Sequence, residues 1–288
     1  MKKKFISIFL IITILVSFTG CLRNDKMEDI DIITTIYPIQ YVTERLYGSN
    51  SSISSIYPKS SNTSKYKITD KKLKDYSKYD LFIYSGASKE REYATKMLNY
   101  NKDLKLIDAA YGLDANASTD IWFNPSNILM VGQNIKNQLE NYISNPYLIK
   151  ELKNKYDLLK VDITELETEF KKTADNSHNN TIVSADESLE FLKKYGFKVI
   201  NLTNSGEEKQ ANIEKAITLI QDGKINYIFK FDDSKNYSIV KNLKQNYNVE
   251  IGTLRSLDTI TEKDKNNNDD YLSLMHYNID LIKKETYK

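Results

Sequence analysis

Residues 147–173 read YLIKELKNKYDLLKVDITELETEFKKT, with no glycine and no proline. Leu148, Leu152, Tyr156, Leu159, Ile163, Leu166 and Phe170 recur at three- and four-residue steps. Those steps put them on one stripe of an α-helix. The spacing predicts one helix of about 27 residues, roughly 40 Å long at about 1.5 Å per residue. A pair of helices or a coiled-coil segment would show the same steps. Asn145-Pro146 precedes the run, and the polar stretch Ala174 to Asn180 ends it.

The chain before this helix alternates strand and helix patterns. Ile32 to Ile36 is a continuous β-branched run and reads as a buried strand. An amphipathic helix follows over Ile39 to Leu46 and stops at Gly48. Strands are expected at Ser52 to Tyr57, Leu81 to Tyr84 and Leu104 to Ile107. Helices are expected at Thr69 to Tyr79, Lys89 to Tyr100 and Ile128 to Ile143. Pro58 to Ser64 reads as a Ser/Asn loop. This alternation marks a parallel sheet with covering helices.

The chain after the helix repeats the pattern. Strands are expected at Thr181 to Val183, Lys198 to Leu202, Tyr227 to Phe229 and Val249 to Leu254. Helices fall at Leu189 to Tyr195, Asn212 to Gln221, Tyr237 to Gln245 and Tyr271 to Lys284, with a charged loop at Lys263 to Asp270. The fold class is therefore α/β. Two lobes, each with a parallel-type sheet and covering helices, are joined by one long helical spine. The expected boundaries are 32–146 for the first lobe, 147–176 for the linking helix and 177–288 for the second. Two lobes on a stiff spine make a cleft, and ligands sit in such clefts.

The N-terminus reads as an export signal. Lys2, Lys3 and Lys4 precede an apolar run from Phe5 to Val16, too short for a comfortable membrane span. Ser17-Phe18-Thr19-Gly20 then places small residues before Cys21, the only cysteine in the chain. A lipoprotein signal over 1–20, lipidation of Cys21 and a tether over 21–31 are expected; an ordinary signal peptide with an incidental cysteine is the plainer alternative. A lone cysteine permits no disulfide within the chain. Removing residues 1–20 takes three lysines, so 38 basic residues remain against 39 acidic ones, a net charge of −1. No overall basic field for nucleic acid is expected.

Most catalytic patterns are missing. No G-x-x-x-x-G-K, G-x-G-x-x-G, G-x-S-x-G, H-E-x-x-H or C-x-x-C occurs. Only His178 and His276 could serve a triad or a metal. The first lies in an Asn-rich linker and the second within the last helix, where solvated or partly packed histidines are ordinary. The 21 tyrosines are spread through strands and helices and read as core or half-buried residues. An enzyme is not expected.

Several segments resemble one family, in order along nearly the whole chain. Thr34-Thr35-Ile36-Tyr37-Pro38 is similar to the opening strand of the zinc- and manganese-binding receptor lipoproteins of bacterial metal ABC importers. Asp80-Leu81-Phe82-Ile83-Tyr84-Ser85-Gly86 resembles a second strand of that family, and Asp120-Ile121-Trp122-Phe123-Asn124-Pro125 resembles its "HVWLDP" segment. Phe191 to Gly196 and Tyr271 to Asn278 resemble two further segments. The resemblance implies an extracytoplasmic, membrane-anchored, monomeric receptor. It would bind one Zn²⁺ or Mn²⁺ between its lobes and deliver it to an ABC permease and its ATPase.

In the family three histidines and a carboxylate hold the ion. Carried over, those positions fall on Ser64, Asp120 and Ala185, with a glutamate of some members falling on Lys230 and the late aspartate kept as Asp258. A three-histidine site cannot be built from two histidines, so the resemblance implies a degenerate metal site. Three readings stay open. Asp120 and Asp258, with Asp186, Glu187, Asp232 and Asp233 nearby in sequence, make an oxygen-rich site for harder ions; the acids are otherwise helix starts and turns. In the second reading Lys230 faces Asp120 and Asp258 and replaces the cation. The protein is then a diverged, metal-free relative that binds another solute or acts as a surface interaction or adhesion lipoprotein. In the third, Tyr37, Tyr66 and Trp122 stack on a flat organic solute.

Overall fold

The computed structural model describes residues 25–113, 121–203, 205–232 and 237–288. Cys21 and the signal segment lie outside the described residues.

The first lobe holds strands β1 (Ile30–Thr34), β2 (Ser51–Ser55), β3 (Leu81–Tyr84) and β4 (Lys105–Asp108). They form a parallel sheet in the order β2-β1-β3-β4. Helices α1 (Tyr37–Tyr47), α2 (Asp70–Tyr76) and α3 (Glu90–Tyr100) make the crossovers. β1 ends two residues earlier than expected because the chain turns at once into α1, whose first turn carries Pro38. Proline fits there because its missing N–H is unneeded in a first helical turn. α2 is capped by Thr69, whose hydroxyl accepts from Lys72 N. After β3, the Gly86 N–H donates to Asp108 Oδ1 at 2.8 Å. A Cβ at Gly86 would lie 1.9 Å from Asp108 Oδ2, so only glycine fits this crossing.

A short 3₁₀ turn (Ile121–Phe123) leads into α4 (Pro125–Glu140), and α5 (Pro146–Asp175) is the spine. The spine is one unbroken helix of 30 residues, slightly longer than its apolar stripe. Asn145 caps it, accepting from Tyr147 N. Its buried stripe packs on α1 and α4 of the first lobe and on the last helix of the second.

The second lobe repeats the plan with β5 (Thr181–Ser184), β6 (Lys198–Asn201), β7 (Tyr227–Phe231) and β8 (Glu250–Leu254), in the order β6-β5-β7-β8. The expected helix at Leu189 to Tyr195 is a 3₁₀ helix over Glu187–Tyr195, and α6 (Gly206–Gln221) and α7 (Tyr237–Asn246) follow. The loop expected at Lys263 to Asp270 is corrected: Glu262–Asn266 is a short helix, α8, and α9 (Tyr271–Thr286) closes the chain. A capping box starts α8, with Thr261 and Asp264 satisfying each other's backbone N–H groups.

The segment expected as a tether is also corrected in part. Met27 is fully buried and its carbonyl accepts from Tyr47 Oη at 2.8 Å. Asp25 Oδ2 accepts from Ser144 N and Asn145 N, so residues 25–31 belong to the lobe. One apolar core runs from the first lobe through the spine into the second, and a satellite core lies under α6 and α7.

Candidate ligand cleft

The loops that follow β2 and β8, at the carboxyl ends of the two sheets, meet across the lobes, the usual ligand position in α/β sheets. From the first lobe come the loop after β2, at Ser60 to Thr63, and the start of α1. From the second comes the loop after β8, at Asp258 to Ile260.

Asp258 sits at the junction. Thr63 Oγ1 donates to its Oδ2 at 2.8 Å, and Tyr37 N donates to its backbone oxygen at 2.9 Å. Leu257 before it adopts φ +66°, a conformation costly for a bulky side chain, and is buried. Ser60 N donates to Ile260 O and Thr259 Oγ1 to Ser61 O, so the two loops are stitched together across the lobes.

The other expected positions separate. Ser64 is exposed and donates to Asn62 Oδ1; its neighbour Thr63, buried, meets Asp258 instead. Ala185 is buried beyond β5 and offers only its backbone, donating to Phe229 O. Lys230 is 9% exposed, and its Nζ donates to Phe231 O at 3.0 Å. Asp120 and Asp233 lie outside the described residues. Asp186 caps the 3₁₀ helix through Ser188 N, and Glu187 is exposed at its start. Asp232 accepts from Arg255 Nε and Ser256 N. Among the described residues no three His, Cys, Asp or Glu side chains are placed to hold a metal ion. His178 donates its backbone N–H to Thr286 O, and His276 Nδ1 lies 2.6 Å from Glu169 of the spine.

The aromatic residues serve packing. Trp122 is buried and its carbonyl accepts from Tyr271 Oη at 2.8 Å. Tyr37 is buried beside Tyr41, and burial pushes the Tyr41 phenol up to about 12. Tyr66 is half-buried, edge-on to Tyr57, and its Oη accepts from Lys72. Phe123 from one lobe stacks on Phe231 from the other at 4.0 Å between ring centres.

Sequence reasoning missed Glu90. As the first residue of α3 it reads as an exposed acid at a helix start, yet it is 4% exposed. Tyr57 Oη donates to its Oε1 at 2.7 Å, while Oε2 has no hydrogen-bond partner among the described residues. Lys89 beside it donates to Thr63 O and Tyr66 O, pinning the loop that carries Thr63. Burial raises the Glu90 carboxyl above its ordinary value, and the Tyr57 bond partly offsets this. The folded carboxyl holds its proton more tightly than the unfolded one. Its contribution therefore favours folding at low pH and is lost as pH rises through the raised folded value. Glu90→Gln should be more stable than the parent at neutral pH, and the gain should vanish near about pH 4. Urea unfolding at both pH values reads this; a gain independent of pH would overturn it.

The arrangement is that of a two-lobed α/β protein whose cleft is closed by loops from both sheets. The profile of zinc-uptake complex component A, periplasmic, matches residues 32–285, and the chain belongs to this ZnuA family. The zinc-binding lipoprotein AdcA of Streptococcus pneumoniae is 21% identical over 93% of this chain, which spans 58% of that relative's length. The metal-dependent lipoprotein YcdH of Bacillus subtilis superposes with a TM-score of 0.74 at 17% identity, covering 90% of this chain and 100% of that one. The Zn(II)-bound ZnuA-like domain of S. pneumoniae AdcA gives 0.72 at 18% identity, with 90% and 100% covered.

Proposed function

We propose that this chain is the extracytoplasmic solute-binding component of an ABC importer of the metal type, anchored by lipid on Cys21. It would work as a monomer with a permease and its ATPase. The observation that carries the reading is Asp258. The late aspartate that the resemblance assigns to the metal stands between the lobes, held by Thr63 of one and close to the start of α1. Asp258, with the Thr63 hydroxyl beside it, offers oxygen, and the resemblance adds the carboxylate of Asp120; oxygen donors suit Mn²⁺ or another hard divalent ion better than Zn²⁺. Such a site is weaker than one built from three imidazoles.

The test is a thermal-shift series on the processed chain, purified without a metal-binding tag, with Mn²⁺, Zn²⁺, Fe²⁺, Ca²⁺ and a chelator. A ligand that binds only the folded state stabilises it by RT ln(1 + [L]/Kd). A saturable rise with Mn²⁺ above that with Zn²⁺, lost in Asp258→Ala, is expected. No rise with any divalent ion would remove metal from the reading and leave another solute.

One observation favours a metal-free second reading. Lys230 is buried where some family members are expected to carry a glutamate. An ammonium there opposes a cation. Lys230→Glu is expected to tighten divalent-ion binding at least about tenfold, the equivalent of about 1.4 kcal/mol. Calorimetry on both chains measures it, and an unchanged affinity would show that Lys230 does not guard the cleft.

A further inference from the structure

The charge of this chain is unevenly placed. Residues 59–78 hold seven lysines against Asp70 and Asp75, a net charge of +5, whereas the whole chain beyond residue 20 carries −1. All seven are exposed. Lys59 reaches Glu262, Lys78 reaches Asp75 and Lys72 reaches Tyr66. Lys65, Lys67, Lys71 and Lys74 make no ion pair among the described residues. Lys96 of α3 takes Asp70, which leaves α2 still more positive.

Lys71, Lys74 and Lys78 follow at steps of three and four, so they form one stripe along α2 and its exit. The stripe has a direction. Its upper end, at Thr69, leaves the loop that closes the cleft. Its lower end lies beside the start of β1. Asp80 N donates to Asp31 O at 3.0 Å, and Asp31 N donates to Asp80 Oδ2 at 2.9 Å. Asn101 Nδ2 donates to Ser77 O at 2.7 Å, and its chain neighbour Tyr100 is exposed. The described chain begins with Asp25, fastened to this same lobe through the α4–α5 corner.

We infer that this stripe is a membrane-contact surface that lays the first lobe on anionic lipid headgroups. The inference rests on the lipid anchor at Cys21 proposed above. A lipid chain fixes the start of the lobe at the bilayer, and a neighbouring lysine stripe is then within reach of headgroup charge. Lysines near an anionic surface are attracted to it, and the attraction fades over about 10 Å at 0.1 M salt. A lipid chain with a basic patch is a common two-signal arrangement, and tyrosine suits the interface. The stripe sets orientation, because the chain beyond residue 20 outside 59–78 carries a net charge of −6 and is not drawn to the same headgroups.

The test reconstitutes the processed lipoprotein into phosphatidylcholine vesicles with or without about 30% phosphatidylglycerol. Lysine acylation is read by mass spectrometry. Lys71, Lys74 and Lys78 should be labelled about fivefold less on the anionic vesicles, relative to exposed Lys209 and Lys241, and recover in high salt. The triple variant Lys71→Glu/Lys74→Glu/Lys78→Glu, altered only at exposed positions, should lose the lipid dependence of labelling at Lys65 and Lys67. Equal labelling on both vesicles overturns the inference. So does protection by an acidic polypeptide without protection by lipid, which would assign the stripe to a protein partner. The N-terminal peptide mass reports separately whether Cys21 carries lipid. A chain without it sinks the anchor, and the stripe is then read on that chain mixed with the same vesicles, where salt-reversible protection must still appear.

Discussion

Tyr271→Ala is expected to cost about 4 kcal/mol of stability and lower the thermal midpoint by about 10 °C. Tyr271 is the first residue of α9 and is 0% exposed. Its ring stacks on Tyr41 of α1 at 5.4 Å, and its hydroxyl donates to Trp122 O at 2.8 Å. Burial pushes the phenol well above its ordinary value, so the hydroxyl remains a donor at any working pH. Truncation removes a large buried ring where both lobes and the spine converge, and the rigid elements around it cannot collapse to fill the space. Tyr271→Phe keeps the ring and leaves only the Trp122 carbonyl without its donor, a loss of about 1–2 kcal/mol. Chemical denaturation of the three chains measures both steps. An alanine variant within about 0.5 kcal/mol of the parent would show that the α9 contact does not join the lobes.

Asp264→Ala should cost about 3–4 kcal/mol. Asp264 is buried and receives a two-pronged bond from Arg255, at 2.8 and 2.7 Å. It also accepts from Thr261 N and Thr261 Oγ1, which starts α8. Removing it leaves a partly buried guanidinium with only Asp232, and α8 loses its cap. The Arg255 guanidinium, against the opposing effect of burial, holds the Asp264 carboxyl well below the usual carboxylate range. The stability this confers is present above that range and is lost as pH falls through it toward the depressed folded value. The parent should therefore lose more stability than Asp264→Ala on acidification from neutral to about pH 3. Equal acid sensitivity would show that the pair carries no pH-linked stability. The sign is opposite to that of Glu90, so the two carboxylates separate cleanly in a pH series.

Much of the architecture was legible from pattern alone. The spine could be read because its apolar residues follow a helical step over many turns, and it forms one helix, Pro146–Asp175. The strands could be read because short β-branched runs alternate with helical ones. The loop expected after β8 failed for a plain reason. Glu262 to Asn266 is charged or polar throughout, so no apolar stripe reveals α8. Its helix exists because Arg255 neutralises Asp264 and Thr261 caps it, and neither contact leaves a periodic mark.

The cleft was less legible. Ser64 was the expected position, yet the neighbouring Thr63 carries the contact, since a shift of one residue in a loop turns a side chain from solvent to the interior. Asp186 and Asp232, acids near expected ligand positions, are occupied by Ser188 N and by Arg255 with Ser256 N. Glu90 carried no signal, because a helix-start acid reads as exposed whichever way the surrounding loops fold over it.

The sequence by itself determined the two α/β halves, the spine between them and the shortage of histidines. Each depends on composition or on spacings within a few residues, where backbone geometry alone fixes which side chains share a face. Tertiary structure decided which polar atoms meet. Thr63 and Asp258 are 195 residues apart, and Tyr271 and Trp122 are 149 apart. Such pairs are chosen by how two lobes close on one helix, and buried donors and acceptors must then find whatever partner the packing brings within reach.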